Sequence, residues 1–194
     1  MKNKSQKEIK LHLGCGKKYI PEFTWHVDLD DYPHINYHHE ISNLPVFKNN
    51  SVDLIYCCHA FEYFDREEGK SVLKEWKRVL KPGGTLRLAV PDFEAIVKVY
   101  FKYKKDLEHR GILGPLYGRM KIKTKNGEKF IYHKTVYDFN SLKKLLKSVG
   151  FRTIRRYDWR KTIHKDYDDF SQAYIPHMDK EHGLLISLNV EAKK

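Results

Sequence analysis

The chain has 194 residues, of which 41% are hydrophobic and 32% are charged, proportions that are typical of one globular domain. No apolar run approaches the roughly 20 residues needed to cross a bilayer, and the charged start MKNKSQKEIK lacks the apolar stretch of a secretory signal. The start is therefore predicted to be a frayed lead-in to the first strand. The formal net charge of +12 would attract nucleic acid, anionic lipid or phosphorylated small molecules, or it reflects only a lysine-rich surface.

The cysteines are three in number, Cys15, Cys57 and Cys58, and two of them are adjacent. An odd set of this kind excludes a disulfide framework and is typical of a reducing compartment. We therefore expect a cytoplasmic location, with Cys57 and Cys58 as small apolar residues of a buried strand.

Strands and helices alternate along the chain. Strands are predicted at 9–13, 27–29, 35–41, 51–58 and 85–90, and near 152–159 and 184–191. Helices are predicted at 66–80, ending at KPGG, at 91–105, and over the apolar face Leu142, Leu145, Leu146 and Val149, with Asn140 or Ser141 as cap and Gly150 as stop. The near-continuous apolar run SVDLIYCC is typical of a parallel strand covered on both faces. This alternation predicts an α/β fold with an open, mostly parallel sheet.

The segment LHLGCGKKYIPEFTWHVDLD, residues 11–30, places Gly14 and Gly16 where the first strand ends. Ligands bind at the carboxyl ends of strands in such sheets, and glycine lets the backbone approach a ligand closely. A dinucleotide site would need a third glycine where Tyr19 stands, followed by a helix. Only residues 17–26, interrupted by Pro21, separate the glycines from the second strand. NAD binding is therefore disfavoured.

The motifs LHLGCG, VDLD, NLPVFKNNSVDLIYCCHAFEYF and EWKRVLKPGGTLRLAVPDF resemble, in order, those of class I S-adenosylmethionine (SAM)-dependent methyltransferases. The chain, including its tail DDFSQAYIPHMDKEHGLLISLNVEA, particularly resembles short predicted methyltransferases associated with cell-surface polysaccharide genes. The resemblance implies a Rossmann-like, doubly wound, mostly parallel seven-stranded sheet with an antiparallel last strand. It also implies one domain over residues 1–194, SAM as cofactor, S-adenosylhomocysteine as product, and no metal.

Residue roles follow from the same resemblance. The glycine loop would pass under the methionine part of the cofactor, and Asp28, with Asp30 as the fallback, would accept hydrogen bonds from both ribose hydroxyls. Glu40 stands where the family usually has the aspartate that binds adenine. The implied cofactor-binding residues are Leu13, Gly14, Cys15, Gly16, Asp28, Leu29, Glu40, Ile41, Cys58 and His59.

Two residues are the main candidates for catalysis, while His133 and His177 lie in long connections and could also reach over the cleft. His59, at the end of the fourth strand, could take the acceptor's proton, or it only packs against the cofactor. Asp92, after the fifth strand, is a second candidate base, or it caps the following helix.

Two insertions lie near 106–137 and 160–183, and long connections in compact domains are usually functional or disordered. The resemblance implies that these two segments form the acceptor region. An excess of cations between Arg119 and Lys134 predicts an anionic acceptor. The predicted substrate-binding residues are Arg119, His133, Tyr137, Tyr174 and His177.

Several chemistries are disfavoured by missing motifs. The fourth strand ends in CCHAF, without the Asn/Asp-Pro-Pro-aromatic motif of enzymes that methylate exocyclic amines of nucleic acid. No Pro-Cys pair offers a nucleophile for pyrimidine C5. His34, His38 and His39 have a spacing that a metal could use, but no thiolate or carboxylate set completes a site.

The sequence therefore predicts methyl transfer from SAM to an oxygen of a sugar, a glycan precursor or another small molecule. Two alternatives remain open: an RNA methyltransferase, favoured by charge alone, and a catalytically silent subunit with the cofactor fold that binds a partner.

Overall fold

The computed structural model of the chain describes residues 7–103, 106–108, 110–124 and 127–194. The predicted frayed lead-in at residues 1–6, the predicted helix end at 104 and 105, and Lys125 of the cation-rich stretch 119–134 lie outside the described residues.

Eleven strands and four α-helices are described. The strands are β1 (Lys10–Leu13), β2 (Trp25–Asp28), β3 (Tyr37–His38), β4 (Val52–Cys58), β5 (Leu80–Pro91), β6 (Met120–Thr124), β7 (Gly127–Ile131), β8 (Arg152–Arg156), β9 (Tyr174–Ile175), β10 (Leu184–Leu185) and β11 (Ser187–Lys193). The helices are α1 (Arg66–Val79), α2 (Phe93–Lys102), α3 (Arg110–Tyr117) and α4 (Phe139–Ser148).

Seven strands form one sheet in the spatial order β3-β2-β1-β4-β5-β11-β8. The first five pair in parallel, whereas β11 is antiparallel to both β5 and β8. The predicted fold class, a mostly parallel seven-stranded sheet with an antiparallel last strand, is confirmed. Its central strands are buried on both faces, as the run SVDLIYCC predicts.

The connection from β1 to β2 contains no helix. Residues 14–24, all of them described, form turns and irregular backbone before β2 begins at Trp25. The short spacing and Pro21 predict this, because a crossover helix would need more residues. The glycine loop therefore has no helix N-terminus behind it.

Helices α1 and α4 cover one side of the sheet with their apolar faces. Val72, Leu73 and Trp76 of α1 are buried in the main core together with Leu142 and Leu146 of α4. Burial of this kind is the main source of the fold's stability.

The start of α4 differs from the prediction. Asp138 is the N-cap, not Asn140 or Ser141, and its carboxylate accepts a hydrogen bond of 2.7 Å from the Ser141 backbone N–H. The Ser141 hydroxyl accepts in turn from the Asp138 N–H at 3.1 Å. Ser141 is thus the reciprocal member of a capping box. Aspartate and serine are both residue types that favour helix caps.

The segment KPGG, at 81–84, also differs from the prediction. The sequence predicts that it ends the helix and turns the chain, but β5 begins at Leu80, directly after α1, and includes it. Gly83 has a φ of +77°, which glycine adopts without strain.

The two predicted insertions contain structure of their own. Residues 106–137 include α3 and the antiparallel hairpin β6–β7, and 160–183 include β9, which pairs with β10. The strand predicted near 184–191 is divided into β10 and β11. Among the described helices, none is long and apolar enough to cross a membrane.

Candidate functional site

A cleft of about 1030 Å³ opens where three neighbouring strands end. Gly14 follows β1, while Asp28 and Cys58 end β2 and β4, and all three line the cleft. The hairpin β6–β7 forms another wall of it. This volume reaches the upper end of the roughly 300–1,000 Å³ typical of one ligand site, so the cleft has room for a cofactor and an acceptor.

The glycine loop is shaped by close contact with the end of β4. Gly14 has a φ of +65°, and a Cβ added there would lie 2.5 Å from Ala60 Cβ. Its backbone N–H donates to the Val27 carbonyl at 2.9 Å, which ties the loop to β2. A side chain at Gly14 would therefore conflict with both the backbone conformation and the neighbouring residue.

The Asp28 carboxylate is fixed by two backbone donors. Its Oδ2 accepts from the Gly16 N–H at 2.8 Å and its Oδ1 from the Asp30 N–H at 3.0 Å. A carboxylate has about four lone-pair sites, so further acceptor capacity remains on each oxygen. The arrangement presents an oriented, doubly accepting group to the cleft.

The cleft brings together nine of the ten residues predicted to bind cofactor. Leu13 is the exception, because it is fully buried within β1. The nine lining residues are Gly14, Cys15, Gly16, Asp28, Leu29, Glu40, Ile41, Cys58 and His59. The chemistry of these residues fits SAM. The glycine loop lets the backbone approach a ligand closely, the Asp28 carboxylate can accept hydrogen bonds from a diol, and most of the other residues are apolar.

His59 lines the cleft at the carboxyl end of β4 with a φ of +50°. Its Nε2 lies 3.0 Å from the Ser187 hydroxyl and its Nδ1 lies 3.6 Å from Oε1 of Glu62. Burial lowers the pKa of His59 to about 3, so the ring is neutral at physiological pH.

Comparison with known proteins agrees with this geometry. Residues 11–88, which hold the glycine loop, Asp28 and His59, match the family described as "Methyltransferase domain". Demethylmenaquinone methyltransferase of Staphylococcus haemolyticus is 32% identical over 127 residues, covering 61% of this chain and 48% of that protein. A methyltransferase-like protein of Schizosaccharomyces pombe is 39% identical over 66 residues, covering 30% of this chain and 25% of that protein. The chain spans about half the length of the staphylococcal relatives that it matches.

Solved structures resemble the whole chain. A SAM-dependent methyltransferase from Archaeoglobus fulgidus has a TM-score of 0.57 at 14% identity, covering 96% of this chain and 86% of that chain. An S-adenosylmethionine-dependent methyltransferase from Mesorhizobium loti has a TM-score of 0.53 at 18% identity, covering 96% and 90%. The chain has the class I methyltransferase fold.

Asp92, the second catalytic candidate, does not line the cleft of this methyltransferase fold. It is the N-cap of α2, where its carboxylate accepts from the Glu94 N–H at 3.1 Å. Its other oxygen accepts from Arg156 Nη1 at 2.9 Å. The helix cap and the ion pair account for this carboxylate, which favours the capping alternative.

None of the five residues predicted to bind substrate lines the cleft. Arg119 contacts a lining residue without lining the cleft itself. Its guanidinium carbon lies 3.6 Å from the centroid of the Phe130 ring, and Phe130 lines the cleft. Tyr137 is buried against Phe61, and Tyr174 is buried with its hydroxyl accepting from Trp159 Nε1. His177 is exposed and His133 lies behind the wall, with Nδ1 2.9 Å from the Pro115 carbonyl.

Other members of both insertions line the cleft instead. The hairpin contributes Met120, Ile122 and Phe130, and the second insertion contributes Asp169 and Phe170. An available signal for the hairpin is the Asn-Gly pair flanked by alternating residues in MKIKTKNGEKFIY. No comparable pattern marks Asp169, whose Oδ2 accepts from the buried Tyr56 hydroxyl at 2.5 Å.

The charges that line the cleft are balanced. Its lysines and carboxylates are equal in number: Lys17, Lys18, Lys121, Lys129 and Lys134 against Asp28, Asp30, Glu40, Glu68 and Asp169. Lys134 is paired with Glu68 at 2.8 Å, and Lys121 is paired with Glu128. The lining therefore does not by itself favour an anion.

His34, His38 and His39 are the residues whose spacing a metal could use. Within the described ranges, no group of three or more His, Cys, Asp or Glu residues has an arrangement that could hold a metal ion. His34 instead packs its ring against His26 and Tyr32.

Proposed function

We propose that this chain transfers a methyl group from SAM to a small-molecule acceptor. The observation that carries the proposal is the cleft at the ends of β1, β2 and β4, where the Gly14 loop and the oriented Asp28 carboxylate meet. SAM supplies an electrophilic methyl group on a sulfonium when it is bound. Nine of the ten residues predicted for this cofactor line that cleft, which supports the proposal.

The chain's own contribution is binding and orientation. The backbone of Gly14 and Gly16 would lie under the methionine part, and Asp28 would accept from the ribose hydroxyls. The hairpin and Phe170 would hold the acceptor and keep water away from it. Holding two reactants in line can supply a large part of the rate enhancement in a displacement of this kind.

The acceptor region is proposed to be built from the two insertions of a single domain over residues 1–194. Apolar side chains of the hairpin, among them Met120, Ile122 and Phe130, suit an acceptor with an apolar or aromatic surface. The apolar face of a sugar or glycan precursor fits this description. The relatives named demethylmenaquinone methyltransferase support a small molecule.

The first prediction tests the cofactor and the reaction. Purified protein should bind SAM and S-adenosylhomocysteine in calorimetry, and NAD binding should be undetectable. Asp28→Ala should weaken SAM binding by about 1.5–3 kcal/mol, because it removes hydrogen bonds to a charged acceptor. Asp31→Ala is the matched control, since this neighbouring carboxylate is exposed and does not line the cleft.

Methyl-labelled SAM should then be incubated with extract divided into small molecules, glycan and RNA. Label in small molecules or glycan supports the proposal, whereas label in RNA, with binding that weakens steeply with salt, favours the nucleic-acid alternative. SAM binding without any transfer favours the silent subunit. Tighter binding of NAD than of SAM would contradict the proposed cofactor.

A further inference from the structure

Beneath the cleft, one carboxyl group and two imidazoles converge. Glu62 lies in the short 3₁₀ turn Phe61–Tyr63 after β4, and its side chain is 1% exposed. Its Oε1 lies 3.6 Å from Nδ1 of His59 and 3.6 Å from Nε2 of His133. Neither carboxyl oxygen has a hydrogen-bond partner among the described residues. A buried polar group in this state calls for an explanation.

A chain of hydrogen bonds assigns the tautomer of His59. Asn189 donates from Nδ2 to the Ser171 carbonyl at 2.8 Å, so its Oδ1 faces Ser187. The Ser187 hydroxyl donates to that Oδ1 at 3.0 Å. Its oxygen therefore accepts from Nε2–H of His59 at 3.0 Å. Nδ1 of His59 is left with its lone pair directed towards Glu62.

The tautomer of His133 follows from one contact. Its Nδ1 lies 2.9 Å from the Pro115 carbonyl, which can only accept, so Nδ1 carries the proton. Nε2 of the neutral ring is then also a lone pair beside Oε1 of Glu62.

Two ring lone pairs and a carboxyl group thus meet at one buried point. Three acceptors would repel one another unless a proton lay between them, and a protonated Glu62 supplies it. Burial acts in the same direction: it raises the pKa of Glu62 to about 8, lowers that of His59 to about 3 and lowers that of His133.

The other titratable groups that act on this point stay neutral. They are Tyr63 beside Glu62, Cys57 and Cys58 from β4, and Tyr137 from the segment before α4. Burial raises the pKa of each of them. Among the described residues no lysine or arginine forms an ion pair with Glu62. Glu62 is therefore the member that changes its charge near neutral pH.

We propose that Glu62, His59 and His133 form one proton-holding unit, in which Glu62 stores the proton that the acceptor loses during methyl transfer. The inference rests on the proposed function. The acceptor atom bonds to the methyl carbon as the carbon–sulfur bond breaks towards sulfur. The acceptor's proton enters the unit through His59, the one member that lines the cleft, and is held on a carboxyl oxygen of the ionised Glu62. Glu62 acts through His59 and is a positioning and storage residue.

The unit can be tested without any acceptor. In protein labelled with ¹³C at glutamate side-chain carboxyls, NMR should show one carboxyl that titrates near pH 8 and is absent in Glu62→Gln. Imidazole ¹⁵N shifts should report Nε2–H for His59 and Nδ1–H for His133. All glutamates titrating near 4–5, or stoichiometric metal in the purified protein, would overturn the inference. Because this measurement needs no methyl transfer, its failure is distinct from failure of the proposed function.

Turnover provides the second test, once an acceptor is known. In the wild type kcat should rise with pH through about 8, because the unit accepts a proton only when Glu62 is ionised. Glu62→Gln should lose this dependence and lower kcat at pH 9 by roughly 10²-fold, with SAM affinity unchanged.

The exposed Glu67→Gln, on the first turn of α1, is the matched control and should keep the wild-type profile. Glu62→Asp, which withdraws the carboxyl from both rings, should shift the pH dependence without removing it, and it serves if Glu62→Gln does not fold. A pH dependence that persists unchanged in Glu62→Gln would contradict the storage role.

Discussion

At the scale of single residues, Gly14 and Gly16 make a matched pair. Both have positive φ, but a Cβ at Gly14 would lie 2.5 Å from Ala60 Cβ, whereas a Cβ at Gly16 would meet nothing within 4 Å. Gly14→Ala should therefore lower the free energy of unfolding by about 1–3 kcal/mol more than Gly16→Ala does, because only Gly14→Ala adds a clash to the backbone strain.

Chemical denaturation of both variants measures this difference, and calorimetry should show the larger loss of SAM affinity in Gly14→Ala. Equal effects of the two substitutions would mean that backbone strain, and not the Ala60 contact, requires glycine in the loop.

Single residues also show where sequence reasoning succeeds and where it stops. Gly14 and Asp28 could be placed because each stands at the end of a strand, and these strand ends must lie at one edge of a parallel sheet. Glu62 could not be placed, because nothing in CCHAFEYF indicates that its carboxyl is buried or that His133, far along the chain, faces it. Burial and long-range contacts of this kind come from packing.

At the scale of elements, α3 packs closely on β9 through one glycine. A Cβ at Gly111 would lie 2.0 Å from Ile175 Cδ1, whereas a Cβ at Gly114, in the same helix, would meet nothing within 4 Å. Gly111→Ala should lower the free energy of unfolding by about 1–3 kcal/mol. Gly114→Ala should raise it by up to about 1 kcal/mol, because alanine is the better helix former.

Denaturant titration of the two variants gives the comparison, and acceptor turnover of Gly111→Ala reports whether α3 supports the hairpin wall. If Gly111→Ala were as stable as Gly114→Ala, the contact with Ile175 would contribute nothing to holding α3.

Elements differ in how far the sequence predicts them. The helical spacing of Leu73, Trp76 and Val79 predicts a helix at 66–80, and α1 spans Arg66–Val79 with Asp65 as its N-cap. The sequence indicates only a basic insertion for the segment with α3 and the hairpin, since its lysines dominate the composition and its alternation is short. In the structure, apolar side chains of the hairpin line the cleft, and Arg119 does not.

At the scale of the whole molecule, buried histidines determine how the free energy of unfolding changes at acid pH. Burial lowers the pKa values of His12, His26, His59 and His164, the last two to about 3. The unfolded chain binds these protons below about pH 6.5 and the folded chain does not. The free energy of unfolding should therefore fall as pH drops from about 6.5 towards 3.

Glu62 acts in the opposite direction. Its pKa is raised from 4.5 to about 8, so the folded state retains a proton that the unfolded state has lost. Stability from this group is complete below about pH 4.5 and is lost as pH rises to about 8. Denaturation at pH 5, 6.5 and 8 should show a maximum near 6.5, and Glu62→Gln should remove the decline between 6.5 and 8. Wild-type stability that is equal at 6.5 and 8 would contradict this.

The position of β11 has a consequence for the order in which the molecule is made. This strand comes last along the chain, yet it lies between β5 and β8, and it carries Ser187 and Asn189, which orient His59. During synthesis β5 keeps an open edge until β11 has left the ribosome, and an open edge is a template for aggregation. A nascent chain that stalls before residue 187 therefore lacks both the protected edge and an ordered His59. Completing the sheet and assembling the site are one event in its biogenesis.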